Sequence, residues 1–192
     1  MNALATDISE NSSSIRISLI IATYNRADCL LRTLNSVAAQ SLNPALYEII
    51  VVNNNSTDHT AETCHKFADG HTELHFHMVT EVRQGLSHAR NCGIAHASGD
   101  FFAIIDDDEL INRDFLKNYY DFFLTHPTVA ACGGIVTPLY EFTVPKWLSR
   151  YAERPIAGTL YYGEKIIPFP KGKYPGGGNM AIRRSAIDQY GA

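Results

Sequence analysis

FFAIIDDDE, residues 101–109, is the stretch that decides the fold class of this 192-residue chain. Residues 101–105 contain no polar side chain and are rich in Phe and Ile, which is typical of a strand buried on both faces of a parallel sheet. Four acids follow at its carboxyl end. Side chains two apart on extended backbone point the same way, roughly 6 to 7 Å apart. We therefore expect Asp106 and Asp108 to converge on one object outside the sheet.

Paired carboxylates of this kind suit a divalent cation. Mg²⁺ and Mn²⁺ take hard oxygen ligands, and they commonly complete their shell with water and substrate phosphates. The alternative is a solvated acidic turn that caps a helix beginning near residues 112–114, since negative charge is favourable at a helix start. The acids alone leave both interpretations open.

The rest of the chain alternates between strand and helix patterns. The strands are predicted at 15–22, 47–52, 75–80, 101–105 and 129–140, and the helices at 27–40, 58–68, 85–97 and 114–125. The strand at 75–80 is the weakest and is expected near an edge. Ser56 or Thr57 is expected to cap the second helix, Gly99 to end the third, and Gly133-Gly134 to mark a bulge or a close backbone approach. The alternation predicts a doubly wound α/β layer.

Three strand ends carry polar residues, at 23–26, 53–58 and 106–109. In an open α/β sheet, ligands bind outside the carboxyl ends of the strands. Because the three polar segments would share one rim, the ligand-binding interpretation of the acids is preferred to the capping one.

Composition sets the outer limits. Hydrophobic residues make up 45% of the chain, enough for one domain with a real core, and the net charge of -4 without a basic block argues against nucleic acid. The four cysteines are widely spaced, which favours reduced thiols. Residues 1–14 are predicted to be a disordered tail and do not have the pattern of a secretion signal.

The segment 145–175 differs from the rest, since it is rich in Pro, Tyr and Gly. It is predicted to be a substrate-binding flap, with an irregular surface segment as the alternative, because exposed aromatics such as Trp147, Tyr151, Tyr161 and Tyr162 suit sugar faces. The three glycines at 176–178 allow backbone to crowd a ligand, although a tight turn explains them nearly as well.

Five segments together resemble glycosyltransferase family 2, the inverting enzymes of the GT-A fold. They are IIATYNR (20–26), VVNNNSTD (51–58), GLSHARNCG (85–93), IDDD (105–108) and GGNMAIRR (177–184). The resemblance covers the chain from Ile17 onward. It implies a GT-A glycosyltransferase domain over residues 15–192, with a mixed, mostly parallel, Rossmann-like sheet flanked by helices.

The resemblance also implies roles for individual residues. The implied substrate-binding residues are Thr23, Tyr24, Asn25, Arg26, Asn53, Asn55, Arg90, Asp106, Asp107, Gly177, Gly178 and Asn179. Asp106 and Asp108 match the Asp-x-Asp motif and are implied to bind Mn²⁺ or Mg²⁺. Asn53 replaces an aspartate that accepts a hydrogen from uracil, and because an amide both accepts and donates, the choice of base stays open. Asp58 is expected to support its loop or the helix start.

The implied reaction is a hexosyltransferase-like transfer from a nucleotide-diphosphate sugar to an acceptor hydroxyl with inversion. A UDP-sugar is favoured, with GDP- or dTDP-sugars as alternatives, and the acceptor is a glycan, a lipid-linked molecule or a protein. A cation neutralises the leaving diphosphate, and a general base activates the acceptor. The implied location is cytoplasmic, with peripheral association at the inner face of the membrane as an option.

The catalytic base is the part of the resemblance that is missing. Family members have it in an acidic motif downstream of the GGN segment, and residues 179–192 contain no such pair. We therefore expect this chain to be an N-terminal portion that holds the donor site, with the base beyond Ala192. A noncatalytic sugar-nucleotide-binding module is the alternative.

Other classes fit less well. A receiver domain needs paired acids after the first strand, and a nucleotidyltransferase needs a glycine-rich phosphate loop there; this chain has Thr23–Arg26. A zinc site at His71, His75 and His77 would need a fourth ligand, and no residue suggests one.

Overall fold

A computed structural model describes residues 15–149, 163 and 165–191. The predicted tail at 1–14 and the flap residues Tyr151, Tyr161 and Tyr162 lie outside the described residues. The strands are β1 (Ile17–Thr23), β2 (Tyr47–Asn53), β3 (His75–Thr80), β4 (Phe101–Asp106), β5 (Ala131–Gly133) and β6 (Asn179–Arg183). The helices are α1 (Ala27–Ala38), α2 (Thr60–Gly70), α3 (Leu86–His96), α4 (Phe115–Thr125) and α5 (Arg184–Tyr190), with a short 3-10 helix at Pro44–Leu46.

The described strands form one six-stranded sheet in the order β3-β2-β1-β4-β6-β5. The first four in this order pair in parallel, and β6 runs antiparallel to both β4 and β5. The predicted mixed, mostly parallel sheet is confirmed, as is the edge position of β3. In the register, Thr23 is opposite Asn53, and Ala22 is opposite Asp106. The polar residues that follow these three strands therefore start at the same level of the sheet.

Helices cover both faces of the sheet. On one face Leu19 and Ile21 pack with residues of α1, α2 and α4, and on the other Ile20 and Ala22 pack with residues of α3. Every residue of β1 is buried, which is why its sequence is nearly continuous in apolar residues. Each fully buried Leu or Ile stabilises such a core by about 1.5 to 3 kcal/mol. None of the helices in the described ranges is long and apolar enough to cross a membrane.

The fifth strand is much shorter than predicted. We expected a strand over 129–140, whereas β5 covers only Ala131–Gly133. The expected close backbone approach at the glycine pair is confirmed, because a Cβ on Gly133 would lie 3.0 Å from the backbone oxygen of Asn179. The pairing of β5 with β6 ends at Gly133, opposite Met180, so residues 134–140 do not form a continuous ladder with β6.

Gly99 has a different role from the one predicted. Helix α3 ends at His96 with Ala97 as its C-cap, so Gly99 does not terminate the helix. Its backbone crosses β1 closely, and a Cβ there would lie 2.8 Å from the backbone nitrogen of Ser18. Contact with another strand, rather than helix termination, requires glycine at this position.

The cap of α2 also differs from the prediction. Neither Ser56 nor Thr57 caps it, since the helix begins at Thr60. A carboxylate oxygen of Asp58 accepts from the Thr60 backbone nitrogen at 3.0 Å, and the other accepts from the Ala27 nitrogen at 3.2 Å. Asp58 therefore supports the starts of two helices at once, which confirms its expected supporting role.

Candidate functional site

The polar strand ends open on a cavity of about 390 Å³ at the carboxyl rim of the sheet. Its lining comprises Ala22, Thr23, Tyr24, Arg26, Asn54, Gln84, Leu86, Ala89, Asp106, Asp107 and Asp108. The predicted meeting of the three polar segments on one rim is confirmed, because each contributes to this lining, the second through Asn54. Six of the residues proposed from the sequence line this cavity: Thr23, Tyr24, Arg26 and the three aspartates.

The acids do not lie on extended backbone, as the spacing argument assumed. Strand β4 ends at Asp106, and the backbone then turns, with the Glu109 nitrogen donating to the Asp106 carbonyl at 3.3 Å. The turn places Asp107 inward, where its side chain is 6% exposed, and leaves those of Asp106 and Asp108 41% and 44% exposed. The two outer carboxylates border the cavity because of a turn, not because of strand alternation.

Asp107 is held from inside the fold. Its carboxylate accepts from Oγ1 of Thr23 at 2.7 Å and pairs with Nη1 of Arg26 at 3.1 Å. Its backbone carbonyl accepts from Oγ1 of Thr33, on α1, at 2.8 Å. Burial raises the pKa of Asp107, and the contacts with Thr23 and Arg26 partly offset this effect. The middle acid, expected to bind substrate, is thus a buried anchor of the turn.

The polar side of α1 holds the segment that follows the acids. Oγ of Ser36 accepts from the Ile111 nitrogen at 3.2 Å. Gln40 accepts from the Leu116 nitrogen at 2.9 Å and donates to the Asn112 carbonyl at 2.8 Å. The helix that packs its apolar stripe on the sheet, together with Gln40 two residues beyond its end, therefore fixes the position of the acidic turn.

Two arginines pair with the outer acids. Nη2 of Arg26 lies 2.7 Å from Oδ2 of Asp108, and Nη2 of Arg90 lies 2.7 Å from Oδ1 of Asp106. The same nitrogen of Arg90 donates to the Gly177 carbonyl at 2.9 Å. Guanidinium groups bind phosphate as well as carboxylate. Both arginines are therefore placed to contact an anionic ligand that reaches the acids.

The asparagines of the two nearby loops mostly hold those loops together. Oδ1 of Asn25 accepts from the Thr57 nitrogen at 2.7 Å, and Oδ1 of Asn53 accepts from the Ser56 nitrogen at 2.9 Å. Asn55 is exposed and, like Asn25, has a positive φ, at 67° against 52°. These three predicted substrate-binding residues are not among the described residues that line the cavity.

Four lining residues were not predicted individually: Asn54, which lies within the predicted polar segment 53–58, and Gln84, Leu86 and Ala89, which follow β3. Asn54 is buried and fixes this part of the lining. Its Nδ2 donates to the carbonyls of Glu81 and Arg83 at 2.8 Å each, and its Oδ1 accepts from the Gly85 nitrogen at 2.8 Å. The available signal was position, because Asn54 follows β2 and Gln84 follows β3 at the same rim.

The glycine loop packs against the acids from the other side. A Cβ on Gly177 would lie 2.6 Å from Nη1 of Arg90, and one on Gly178 would lie 2.9 Å from Oδ2 of Asp106 and would also meet Glu109. Burial, together with the charges of Asp106 and Asp108, raises the pKa of Glu109 to about 8. Asn179 is buried and faces α4 and Ile135, not the cavity.

The donor atoms fit a divalent cation shared with a ligand. No group of three or more His, Cys, Asp or Glu in the described ranges is arranged to hold a metal alone. Two half-exposed carboxylates beside a cavity match the sites of Mg²⁺ and Mn²⁺, which take one or two protein carboxylates and complete the shell with water and phosphate oxygens. Asp106 and Asp108 would hold such an ion.

Comparison with known proteins identifies the chain. The sequence profile of "Glycosyl transferase family 2" matches residues 18–191. The chain belongs to glycosyltransferase family 2. Among curated members, Glycosyltransferase GlyA of Streptococcus pneumoniae is 30% identical over 151 residues, which are 79% of this chain and 20% of that protein. Glycosyltransferase AglE of Haloferax volcanii is 36% identical over 129 residues, 67% of this chain and 40% of that protein.

Solved structures of the family agree with the fold. Mannosyltransferase PcManGT from Pyrobaculum calidifontis, in complex with GDP-Man and Mn²⁺, has a TM-score of 0.69 and 26% identity, covering 92% of this chain and 47% of that one. S. aureus TarS 1-349 with UDP-GlcNAc has a TM-score of 0.59 and 26% identity, covering 69% and 37%. The fold is that of GT-A glycosyltransferases, and the chain spans less than half the length of these relatives.

Proposed function

We propose that this chain binds a nucleotide-diphosphate sugar together with Mn²⁺ or Mg²⁺, and that the protein containing it transfers the sugar to an acceptor hydroxyl with inversion. The observation that supports this most is the position of Asp106 and Asp108. Both are half-exposed and line a cavity that Tyr24 also lines, and each is paired with an arginine suited to phosphate.

Each side chain has a role in this proposal. Tyr24 is 47% exposed on the cavity wall, so its ring is available to pack on a nucleotide base. Arg26 and Arg90 move part of their hydrogen bonding from the carboxylates to the diphosphate. When bound, the cation neutralises charge that develops on the leaving diphosphate. Asp107 stays fixed by Thr23 and keeps the two outer acids in place.

The base of the donor is the least constrained part of the proposal. The side-chain oxygen of Asn53 already accepts from the Ser56 nitrogen. Gln84 and Leu86, which line the cavity, offer an amide and an apolar surface to the base. Related structures contain GDP-Man in one case and UDP-GlcNAc in another. A UDP-sugar is our preferred donor, and GDP- and dTDP-sugars are the alternatives to test.

The acceptor is proposed to be a glycan, a lipid-linked molecule or a protein, bound near the exposed aromatics that follow β5. Phe142 is 85% exposed and Trp147 is 73% exposed, and such rings suit sugar faces. The proposed location is the cytoplasm, with peripheral binding at the inner face of the membrane. Because the chain spans less than half of its relatives, transfer is proposed for the whole protein.

Calorimetry tests the donor site directly. UDP, GDP and dTDP are titrated into the chain with Mn²⁺ and again with EDTA, and release of nucleoside diphosphate from the matching sugar donors is then measured with candidate acceptors. We expect binding of at least one nucleotide that depends on the metal. Nucleotide binding without release of nucleoside diphosphate in any acceptor mixture would favour a noncatalytic donor-binding module. Equal nucleotide affinity with Mn²⁺ and with EDTA would contradict the proposal.

A further inference from the structure

A buried tyrosine outside the cavity is connected to the acids through the glycine loop. Tyr119, on α4, is 8% exposed, and its hydroxyl donates to Oδ1 of Asn179, 60 residues further along the chain. We propose that Tyr119 is a positioning residue for the donor site, which sets Arg90 and Asp106 through Asn179 and Gly177. This inference rests on the proposed function, because it concerns the same metal and nucleotide site.

The first link joins α4 to the start of β6. The Tyr119 hydroxyl lies 2.5 Å from the Asn179 oxygen, and Nδ2 of Asn179 donates to the Ile135 carbonyl at 3.1 Å. Burial raises the pKa of Tyr119, so the phenol remains a protonated donor throughout the physiological range. The amide of Asn179 is therefore fixed from both sides, with its oxygen on Tyr119 and its nitrogen on the backbone.

The second link runs from Asn179 to the acids. The backbone nitrogen of Asn179 donates to the Gly176 carbonyl at 3.1 Å, and this bond closes the glycine turn. The Gly177 carbonyl within that turn accepts from Nη2 of Arg90 at 2.9 Å, and the same nitrogen is 2.7 Å from Oδ1 of Asp106. A shift of the turn would therefore move one acceptor of Arg90 and alter its pairing with Asp106.

The hydroxyl, and not the ring, supplies this connection. The Tyr119 ring packs edge-on against Phe115 with centroids 5.0 Å apart, and phenylalanine would retain that contact. Loss of the hydroxyl would leave the buried Asn179 oxygen without a hydrogen-bond donor, which costs free energy. We expect the glycine turn to shift so that this oxygen reaches another donor. The substitution Tyr119→Phe thus separates positioning from packing.

The experiment compares Tyr119→Phe with Tyr120→Phe, a matched loss of a hydroxyl from the neighbouring position of the same helix. The affinity of each variant is measured by calorimetry with Mn²⁺ and with EDTA, for whichever of UDP, GDP and dTDP binds the unmodified chain most tightly. We expect Tyr119→Phe to weaken metal-dependent binding about three- to tenfold, as follows from losing one buried hydrogen bond, with a smaller loss of metal-free binding through Arg90. Tyr120→Phe should bind like the unmodified chain.

The alternatives are distinguishable. Unchanged binding by Tyr119→Phe, or equal weakening with and without metal, overturns the inference while leaving the proposed function intact. Absence of metal-dependent binding by the unmodified chain overturns both. If Tyr119→Phe does not fold, Gly177→Ala tests the other end of the connection, because its Cβ would lie 2.6 Å from Nη1 of Arg90 and displace that side chain. The same selective weakening supports the inference, and unchanged affinity overturns it.

Discussion

Two groups of carboxylates lie at opposite ends of the same sheet, and their surroundings differ. At the amino end, Glu48 is 4% exposed and accepts from neutral donors: Oγ of Ser18 at 2.6 Å, and the nitrogen and Oγ of Ser98 at 2.6 and 2.8 Å. At the carboxyl end, Asp106 and Asp108 are more than 40% exposed and pair with arginines.

The difference separates a structural acid from acids that can exchange partners. Neutral donors fixed in the backbone and on short side chains hold Glu48 in one place, where it joins the loop before β4 to the neighbouring strands. Exposed ion pairs contribute little to stability, with a median of about 0 to 1 kcal/mol. Arg26, whose side chain is 46% exposed, can therefore release Asp108 to a cation at small cost. Arg90 is only 18% exposed, but it keeps the Gly177 carbonyl as an acceptor when Asp106 turns to the cation. Glu48 has no comparable freedom.

The largest expected effect comes from Asp108→Asn. The variant loses a charged ligand of the proposed metal site, so metal-dependent nucleotide affinity should fall by about a hundredfold, on the order of 3 kcal/mol. The free energy of unfolding should change by less than about 0.5 kcal/mol, as for other exposed substitutions. Calorimetry with Mn²⁺ and urea unfolding give the two quantities.

The control for that variant is Asp121→Asn. Asp121 is a half-exposed acid on α4 that pairs with Lys117, so it carries the same charge at a distance from the cavity. Its substitution should leave nucleotide affinity unchanged. An affinity loss shared by both variants would show that net charge, rather than ligation, determines binding.

A pair of glycines gives the next effect. Gly99→Ala places a Cβ against the backbone of β1, which cannot give way, and should lower the free energy of unfolding by about 2 kcal/mol without changing nucleotide affinity. Gly178→Ala meets the side chains of Glu109 and Asp106 instead. Its effect should be a roughly tenfold loss of metal-dependent affinity with little loss of stability. Equal losses of unfolding free energy in both variants would contradict the distinction between a structural amino end and a functional carboxyl end of the sheet.

The smallest effect is expected from Glu48→Gln at pH 7. The amide retains an acceptor for Ser18 and Ser98 but loses the charge that strengthens those bonds, so unfolding free energy should fall by about 1 kcal/mol. Nucleotide affinity should not change. If Glu48→Gln bound nucleotide more weakly in the presence of metal while keeping its full stability, Glu48 would belong to the functional site. The contrast with Asp106 and Asp108 would then be wrong.

The difference in unfolding free energy between the unmodified chain and Glu48→Gln should depend on pH, because Glu48 titrates and Gln does not. Burial by itself would raise the pKa of Glu48, but the hydrogen bonds from Ser18 and Ser98, with a smaller contribution from His77 at 3.8 Å, outweigh it and hold the pKa below the ordinary 4.5. The unfolded chain thus binds the proton more readily than the folded one. The stabilisation is fully present above pH 4.5 and is lost as the pH falls through the folded value. Urea unfolding from pH 7 to 3 should show the Gln variant approaching the unmodified chain.

The helices and strands, and the polar residues at the carboxyl edge of the sheet, could be predicted from the sequence because both follow from local patterns. The buried run at 101–105 and its acidic end identified the central strand and the candidate site, and β3 was placed at the edge from its weak pattern. Parallel strands bring their carboxyl ends to one edge, so polar residues distant in sequence were expected to meet.

The details that could not be predicted depend on contacts between distant residues. Asp107 is turned inward by Thr23, 84 residues away, and Gly99 is required by β1, across a similar separation. Asn25 and Asn179 were expected to touch substrate but hold other parts of the chain. A one-dimensional pattern does not distinguish an asparagine that binds a ligand from one that fixes a loop.

Crystallography with Mn²⁺ and a bound nucleotide tests the central claim most directly, namely that Asp106 and Asp108 exchange their arginine partners for a cation. The crystals would contain the nucleotide that calorimetry selects, and anomalous scattering would locate the manganese. We expect Mn²⁺ within about 2.5 Å of a carboxylate oxygen of each aspartate, with Arg26 or Arg90 on the diphosphate. Nucleotide bound elsewhere, or bound while both aspartates stay on their arginines without metal, would contradict it.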